Sequence, residues 1–317
     1  LNENQHHLTG ELKSILEVKT GINSKVFKLQ TTEHAYALKQ FKVQTEKDKR
    51  PRMKTEVSFL KYLSGLKINN VPKILSHSKK EEKIHWLLMS WIEGYAVKKL
   101  KIKDLDQIAK FVKESNQRKE GINKFILDYA SEACTSTAEI IKQLNIRKKV
   151  IHEIVGDTRK NREILDYFEN DIQKIANDAI IKLKTRTSKL HWKEGNTCEI
   201  ASQSDIGIHN MIQTPKGLAF IDFEYAGLDD LAKLCCDIVI QPEQILTKKE
   251  EIHLISEFQK QAITSNASWI ERYTDLKNIL AIKWVYIILN KHLRMKKDSS
   301  FIKEAIEKYL ENALRRT

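Results

Sequence analysis

Polar side chains that suit metal and proton chemistry stand close together between residues 202 and 224. Asn210 follows Asp205 by five positions, and Asp222 lies near the end of the apolar segment 218–223. Carboxylate and amide oxygens are ligands that Mg²⁺ prefers, and a carboxylate in an apolar strand is costly to bury unless a cation or hydrogen bonds compensate. We therefore predict that Asn210 and Asp222 bind Mg²⁺, with Asp205 as a candidate base. The competing interpretation is a polar loop with a structural aspartate.

The chain between Asn210 and Asp222 predicts a β-hairpin that brings these two side chains together. Residues 214–217 read Thr-Pro-Lys-Gly, and proline at the second position with glycine at the fourth suits a type I turn. Pairing across this turn sets Asn210 opposite Ile221. Asn210 and Asp222 then lie diagonally adjacent at the open end of the hairpin.

A lysine and a glutamate in the first hundred residues form a second candidate pair. The alternation of the predicted strand 35–41 places Lys39 on the face of its apolar neighbours. Glu56 lies on the apolar stripe of the predicted helix 53–64. If both faces point inward, Lys39 needs an anionic partner and Glu56 can supply it. Such a pair holds a lysine ready for phosphate oxygens, whereas the alternative is two unrelated surface residues.

The elements around these residues indicate two lobes. Strand patterns fall at 25–30, 35–41, 73–77 and 84–91, one helical pattern falls at 53–64, and the hairpin strands fall at 210–213 and 218–223. From about 104 to 190 the apolar periodicity is helical almost throughout, and a long helical run returns at 279–293. We predict an α+β protein with a sheet-plus-helix lobe over 1–93 and a larger, mainly helical lobe over 94–317. A cleft between two lobes is the expected place for a ligand.

The composition is that of a globular, helix-rich protein. Of the 317 residues, 41% are hydrophobic and 31% charged, with 10 Gly and 4 Pro, which excludes fibrous and wholly disordered classes. No stretch approaches the roughly 20 apolar residues that span a bilayer, and four cysteines without a Cys-x-x-Cys motif fit a reducing compartment. We therefore predict a cytoplasmic protein without a membrane partner. The net charge of +13 permits anionic partners, but no nucleic-acid motif accompanies it.

In their order and spacing, these features resemble the aminoglycoside phosphotransferase and choline kinase-like family, whose members share a bilobal protein-kinase-like fold. The resemblance covers nearly the whole chain. Residues 20–27 look like the family's phosphate-covering loop, and residues 87–94 are similar to its interlobe hinge. The residues that match are Ser24, Lys39, Glu56, Met89, Ser90, Trp91 and Ile92 for ATP, Asn210 and Asp222 for the metal, and Asp205 for catalysis. The family's catalytic loop usually reads His-Gly-Asp, whereas Gln203 and Ser204 precede Asp205 here.

The resemblance implies ATP-dependent transfer of the γ-phosphate to a hydroxyl of a small molecule, such as a sugar, an amino sugar or an amino alcohol. Lys39 would orient the α and β phosphates, Asn210 and Asp222 would hold Mg²⁺, and Asp205 would accept or orient the proton of the acceptor hydroxyl. Three alternatives stay open: a protein kinase, a catalytically inactive nucleotide-binding scaffold and a basic nucleic-acid-binding protein. The sequence leaves open the acceptor, the choice between ATP and GTP, and the oligomeric state.

Overall fold

The structure is a computed structural model. It describes residues 8–21, 23–43, 45, 48–79, 81–156, 162–187, 199–263 and 268–314. The chain divides into two compact units, one formed by Leu1–Ser131 with Gln203–Leu228 and the other by Glu132–Ser202 with Asp229–Thr317. Each unit is formed by two separate stretches of the chain. The division into lobes 1–93 and 94–317 stays a prediction.

The first unit is built on a five-stranded antiparallel sheet. Its strands are β1 (Leu12–Thr20), β2 (Ser24–Thr31), β3 (Ala35–Phe41), β4 (Ile74–His77) and β5 (Trp86–Ser90), in the order β1-β2-β3-β5-β4. Leu29, Tyr36 and Leu88 form a buried cluster on this sheet. Valine, phenylalanine and tyrosine favour β-structure, and β2 to β5 match the four predicted strands.

The edge strand β1 was not predicted. Its apolar residues Ile15, Leu16 and Val18 are 46%, 60% and 42% exposed, so they do not alternate between a buried and a solvated face. A pattern of period two is the signal that identifies a strand from sequence, and this strand lacks it.

Two helices complete the first unit. Helix α1 (Arg52–Gly65) buries Phe59, Leu60 and Leu63, and α2 (Ile102–Glu114) buries an apolar face that includes Phe111. Short strands β6 (Tyr95–Ala96), β8 (Met211–Thr214) and β9 (Gly217–Phe220) form a small sheet in the order β6-β8-β9. The hairpin β8–β9 pairs Met211 with Phe220 and Thr214 with Gly217, which is the register that the turn predicts. The Phe111 and Phe220 rings stack with centroids 4.0 Å apart, which fixes α2 to the hairpin.

The second unit is mainly helical. Its helices are α3 (Thr137–Val155), α4 (Arg162–Tyr167), α5 (Gln173–Thr187), α6 (Leu231–Val239), α7 (Lys248–Lys260), α8 (Trp269–Arg294) and α9 (Ser299–Ala313), with a π-helical turn at Phe168–Ile172. Strand β7 (Glu199–Ser202) pairs with β10 (Gly227–Asp230), where the chain enters this unit. The antiparallel sheet and the helical remainder confirm the predicted α+β class.

The prediction of helix from 104 to 190 is wrong between α2 and α3. Residues 115–136 form irregular turns with one 3₁₀ turn at Lys124–Ile126. Gly121 has a φ of 75°, which a helix does not tolerate, and Ser136 caps α3 by accepting a hydrogen bond from the Glu139 N–H. Residues 157–161 and 188–190 of the predicted stretch lie outside the described residues.

Cys134, Cys235 and Cys236 are buried free thiols, and Cys198 lies outside the described residues. Burial raises the pKa of each of the three described thiols. Within the described part of the chain, every helix is too short or too polar to cross a membrane.

Candidate active site

Lys39 is the centre of a buried charge cluster in the first unit. Strand β3 turns this side chain inward, where only 3% of it is exposed. Its Nζ lies 2.7 Å from Glu56 Oε2 on α1, 2.8 Å from Asp222 Oδ1 and 3.1 Å from Glu224 Oε2. The predicted ion pair between Lys39 and Glu56 is therefore present. Glu224 was not assigned to the cluster from sequence, although its position two residues after Asp222 is a signal that could have found it.

Three carboxylates surround the Lys39 ammonium, and a second cation approaches one of them, with Arg52 Nε 3.6 Å from Glu224 Oε1. Burial by itself lowers the pKa of Lys39, but the charges of Glu56, Asp222 and Glu224 outweigh it and raise that pKa. Burial, together with the charges of Asp222 and Glu224, raises the pKa of Glu56 to about 7 even though Lys39 opposes the shift. The oxygens of the three carboxylates lie within 4.8 Å of one another. The cluster can therefore accept further positive charge, as a proton or as a cation.

Asn210 lies at the open end of the hairpin with its amide oxygen unpaired. Its Nδ2 donates to the Asp205 carbonyl at 2.9 Å, and its own carbonyl accepts from the Ile221 N–H at 3.0 Å. The side chain is 1% exposed, and within the described residues its Oδ1 accepts no hydrogen bond. A buried acceptor without a donor is costly, and a divalent cation would remove that cost. The donor set of Asn210 and Asp222 thus fits Mg²⁺.

Asp222 leaves the strand that was predicted to carry it. Strand β9 ends at Phe220, and Asp222 adopts a φ of 65°, in the left-handed region that non-glycine residues seldom occupy. This turn directs the carboxylate to Lys39 rather than along the face of β9. The prediction of a strand over 218–223 is therefore wrong for its last three residues, because local periodicity does not report a single left-handed residue.

Asp205 makes no ion pair with Lys39 among the described residues, and its side chain is partly exposed to solvent. Its side chain is 34% exposed, and its Oδ2 lies 3.4 Å from His209 Nε2. The side chain is therefore placed to meet a polar group that arrives from solution.

A cavity of about 150 Å³ adjoins the charge cluster. Seven of the predicted residues line it, namely Lys39, Glu56, Met89, Ser90, Trp91, Ile92 and Asp222. Val18, Val26 and Ala37 supply apolar walls. Ser24, Asp205 and Asn210 are not part of this lining; Ser24 is buried in β2, where it pairs with Phe41.

The backbone N–H groups of residues 90–92 differ in whether they donate a hydrogen bond. Ser90 N–H donates to the Lys73 carbonyl at 2.9 Å, and Trp91 N–H donates to the Ala35 carbonyl at 3.3 Å. Lys73 N–H donates to Ser90 Oγ at 2.9 Å. The N–H of Ile92 donates to no group among the described residues. This N–H is therefore available to a ligand in the cavity.

The predicted loop 20–27 contacts the segment that carries Asp222. Asn23 Nδ2 donates to Glu224 Oε1 at 2.7 Å and to Tyr225 Oη at 2.6 Å. Ile22 lies outside the described residues. The loop thus lies over the charge cluster through Asn23, a residue whose contacts the sequence did not predict.

No family model and no curated protein matches the chain, but solved structures do. A spectinomycin phosphotransferase in complex with ADP and spectinomycin superposes with a TM-score of 0.66 at 11% identity, covering 98% of this chain and 92% of that one. The Plasmodium vivax ethanolamine kinase gives 0.60 at 16% identity, covering 96% and 82%. The choline kinase from Cryptosporidium parvum Iowa II gives 0.58 at 14% identity, covering 95% and 88%.

This chain has the protein-kinase-like fold. The resemblance stated from the sequence is confirmed at the level of the fold by aminoglycoside phosphotransferases and by choline and ethanolamine kinases. At 11% to 16% identity, the superpositions concern the path of the chain. Arguments about the chemistry rest on the side chains described above.

Proposed function

We propose that the protein is an ATP-dependent phosphotransferase that acts on a hydroxyl of a small molecule. One observation carries the proposal: a buried lysine pairs with Glu56 and also contacts Asp222, beside a cavity of about 150 Å³ whose walls are partly apolar. Such a lysine has little structural use, because burying an ion pair seldom stabilises a protein more than apolar packing does. Holding phosphate oxygens is a function that requires it.

The proposed reaction needs positioning and charge neutralisation more than covalent catalysis. Lys39 binds the α and β phosphates, and Asn210 and Asp222 hold Mg²⁺. The metal ion, when bound, neutralises charge on the phosphate oxygens. Asp205 accepts the hydroxyl proton as the acceptor oxygen forms its bond to the γ-phosphorus. The bond from that phosphorus to the β–γ bridging oxygen breaks, and ADP leaves with the electron pair.

The cavity supports a purine as the base of the nucleotide. Its walls at Val18, Val26 and Met89 are apolar and suit a flat aromatic ring. The available N–H of Ile92 suits a ring nitrogen acceptor such as adenine N1. We propose that the hinge residues Met89–Ile92 bind the adenine and that Ser24 and Glu56 act from the phosphate side.

The named structural neighbours support the chemical class of acceptor that we propose. They include a phosphotransferase of spectinomycin and kinases of choline and ethanolamine. A sugar, an amino sugar or an amino alcohol is accordingly the proposed acceptor class. We propose the cytoplasm as the location, because buried free thiols suit a reducing compartment and the reaction consumes ATP.

The function is tested by a phosphate-transfer screen with γ-labelled ATP. Wild-type protein is incubated with sugars, amino sugars, amino alcohols and a protein fraction, and label on a small molecule is the expected result. Asp205→Asn should lower turnover by about 10²- to 10⁴-fold while its Kd for ATP stays within about twofold. Asp128→Asn is the matched control, because that carboxylate is 77% exposed and pairs only with exposed Lys54 among the described residues. Full activity in Asp205→Asn contradicts the mechanism, and label on protein alone supports a protein kinase.

A further inference from the structure

Gln203 is a buried amide placed directly behind the metal-binding segment. Its side chain is 2% exposed, and its Nε2 donates to the carbonyl oxygen of Ile221 at 2.8 Å. Ile221 immediately precedes Asp222, so this hydrogen bond falls on the peptide group that joins the two residues. The plane of that peptide group sets the reference from which the φ of Asp222 is measured.

The hydrogen bond of Gln203 closes a ring of hydrogen bonds. The ring contains one candidate metal ligand, Asn210, and the residue that precedes the other, Ile221. Ile221 N–H donates to the Asn210 carbonyl at 3.0 Å, and Asn210 Nδ2 donates to the Asp205 carbonyl at 2.9 Å. Asp205 N–H donates in turn to the Gln203 carbonyl at 2.9 Å. Each link joins main chain to main chain or side chain to main chain. A change at Gln203 is therefore transmitted to the position of Asn210 and Asp222 through covalent geometry and hydrogen bonds.

The left-handed φ of Asp222, 65°, needs such support. L-residues pay a steric cost in this region, and they persist there when the surrounding structure fixes them. Ile221 is held from both sides, by Asn210 at its N–H and by Gln203 at its carbonyl. Without the Gln203 amide, the Ile221 carbonyl loses its side-chain donor, and the peptide group between Ile221 and Asp222 is held less firmly against rotation to a less strained conformation. The Asp222 carboxylate would then turn away from Lys39 and from a metal shared with Asn210.

We propose that Gln203 is a positioning residue that holds Asp222 in the conformation that binds the metal with Asn210. The inference rests on the proposed function. The proposal also concerns the departure from the His-Gly-Asp pattern. Gln203 occupies the position where the family that this chain resembles usually has histidine, and its side chain is still a hydrogen-bond donor. Ser204 likewise keeps a φ of 67°, a conformation suited to the glycine of that pattern. On this proposal, the departure from His-Gly-Asp preserves the geometry of the loop.

The unpaired oxygen of Gln203 supplies a further reason to assign the role to its Nε2. Within the described residues the buried Oε1 accepts no hydrogen bond, so the side chain carries a desolvation cost that an apolar residue would avoid. An apolar side chain of similar size would fill the same space without burying an unpaired oxygen. An imidazole N–H could make the same bond without an unpaired amide oxygen, so Gln203→His is the conservative variant.

The test measures how ATP binding depends on Mg²⁺, by calorimetric titration at a series of Mg²⁺ concentrations. Gln203→Leu removes the donor at similar size, and it should raise the Mg²⁺ concentration at half effect by about 3- to 10-fold, the range of one neutral hydrogen bond. Gln203→His should stay within about twofold of the wild type. ATP binding without metal should be the same in all three proteins. Gln213→Leu is the matched control, because its amide donates to the Thr214 carbonyl at 3.1 Å on the same hairpin.

The outcomes separate a positioning role from a structural one. An unchanged Mg²⁺ midpoint in Gln203→Leu, even with a lowered Tm, overturns the proposal, and so does an equal rise in Gln203→His. Where Gln203→Leu does not fold, Gln203→Asn decides in its place, because its shorter side chain retains the polarity but does not reach the Ile221 carbonyl. A wild-type protein that shows no Mg²⁺-dependent ATP binding rejects the proposed function itself, which is a different result from a variant that matches the wild type.

Discussion

Replacing Lys39 by methionine removes the cation that contacts all three carboxylates of the cluster while keeping a side chain of similar length. Glu56, Asp222 and Glu224 would then face one another, with oxygens within 4.8 Å and the Lys39 charge gone. The side chains of Glu56 and Glu224 are 1% and 4% exposed, so water screens their repulsion poorly. The substitution therefore tests whether the cluster is held by charge, independently of any ligand.

The cost can be worked from the burial of the pair. Removing one partner of a buried ion pair destabilises a protein by about 3–5 kcal/mol. A domain of 150 to 250 residues loses about 2–4 °C in Tm per kcal/mol, so the first unit should melt about 6–20 °C lower. Lys54→Met is the control on the same helix. Lys54 Nζ lies 2.8 Å from Asp128 Oδ2, but the two side chains are 67% and 77% exposed. The loss of unfolding free energy in Lys54→Met should therefore stay below about 1 kcal/mol.

The loss of stability caused by Lys39→Met should also depend on pH. The pKa of Glu56 is raised to about 7 in the folded protein, so Glu56 is neutral in the folded state well below pH 7. The folded protein therefore loses stability as the pH rises from the ordinary glutamate pKa through 7. Without Lys39 this pKa rises further, since the attracting charge is gone. Urea denaturation at pH 5.5 and pH 8 should therefore show a smaller difference between variant and wild type at pH 5.5. A variant as stable as Lys54→Met at both pH values would refute the account of the cluster.

Two further predictions concern packing in the first unit and charge in the second. Phe111→Ala should destabilise the protein by about 3–5 kcal/mol, because the ring is buried and stacks on Phe220; a loss below about 1 kcal/mol in urea denaturation would contradict the packing. Although burial raises the pKa of Glu132, the charges of Lys283 and Arg147 hold it well below its usual range. This interaction stabilises above the ordinary glutamate pKa and is lost as the pH falls, so Glu132→Gln should cost about 2 kcal/mol at pH 7 and progressively less below about pH 4. A difference that does not change with pH would contradict it.

The sequence predicts those parts of the site that depend on local spacing. The turn at 214–217 determines the register of β8 and β9, because a hairpin register follows from its turn. Lys39 and Glu56 meet because each lies on the apolar face of its own element, and those faces pack together. Both inferences need only the periods of a strand and a helix.

Other features depend on the tertiary structure and leave no local pattern. The left-handed conformation of Asp222 lies in a segment whose residues read as a strand. The third carboxylate that reaches Lys39, Glu224, follows that residue by two positions. The hydrogen bond from Gln203 to Ile221 joins residues 18 positions apart. Strand β1 escapes prediction because both of its faces carry exposed side chains. The roles of the site residues in binding and catalysis stay predictions.

Calorimetric titration of ATP, with and without Mg²⁺, tests the central claim most directly, on the wild type and on Asp222→Asn. The asparagine keeps the size of the side chain but removes the charge that would meet the metal. The account predicts ATP binding that Mg²⁺ strengthens in the wild type, and a loss of that strengthening in the variant. Absence of ATP binding in the wild type, or an equal response to Mg²⁺ in Asp222→Asn, would contradict it.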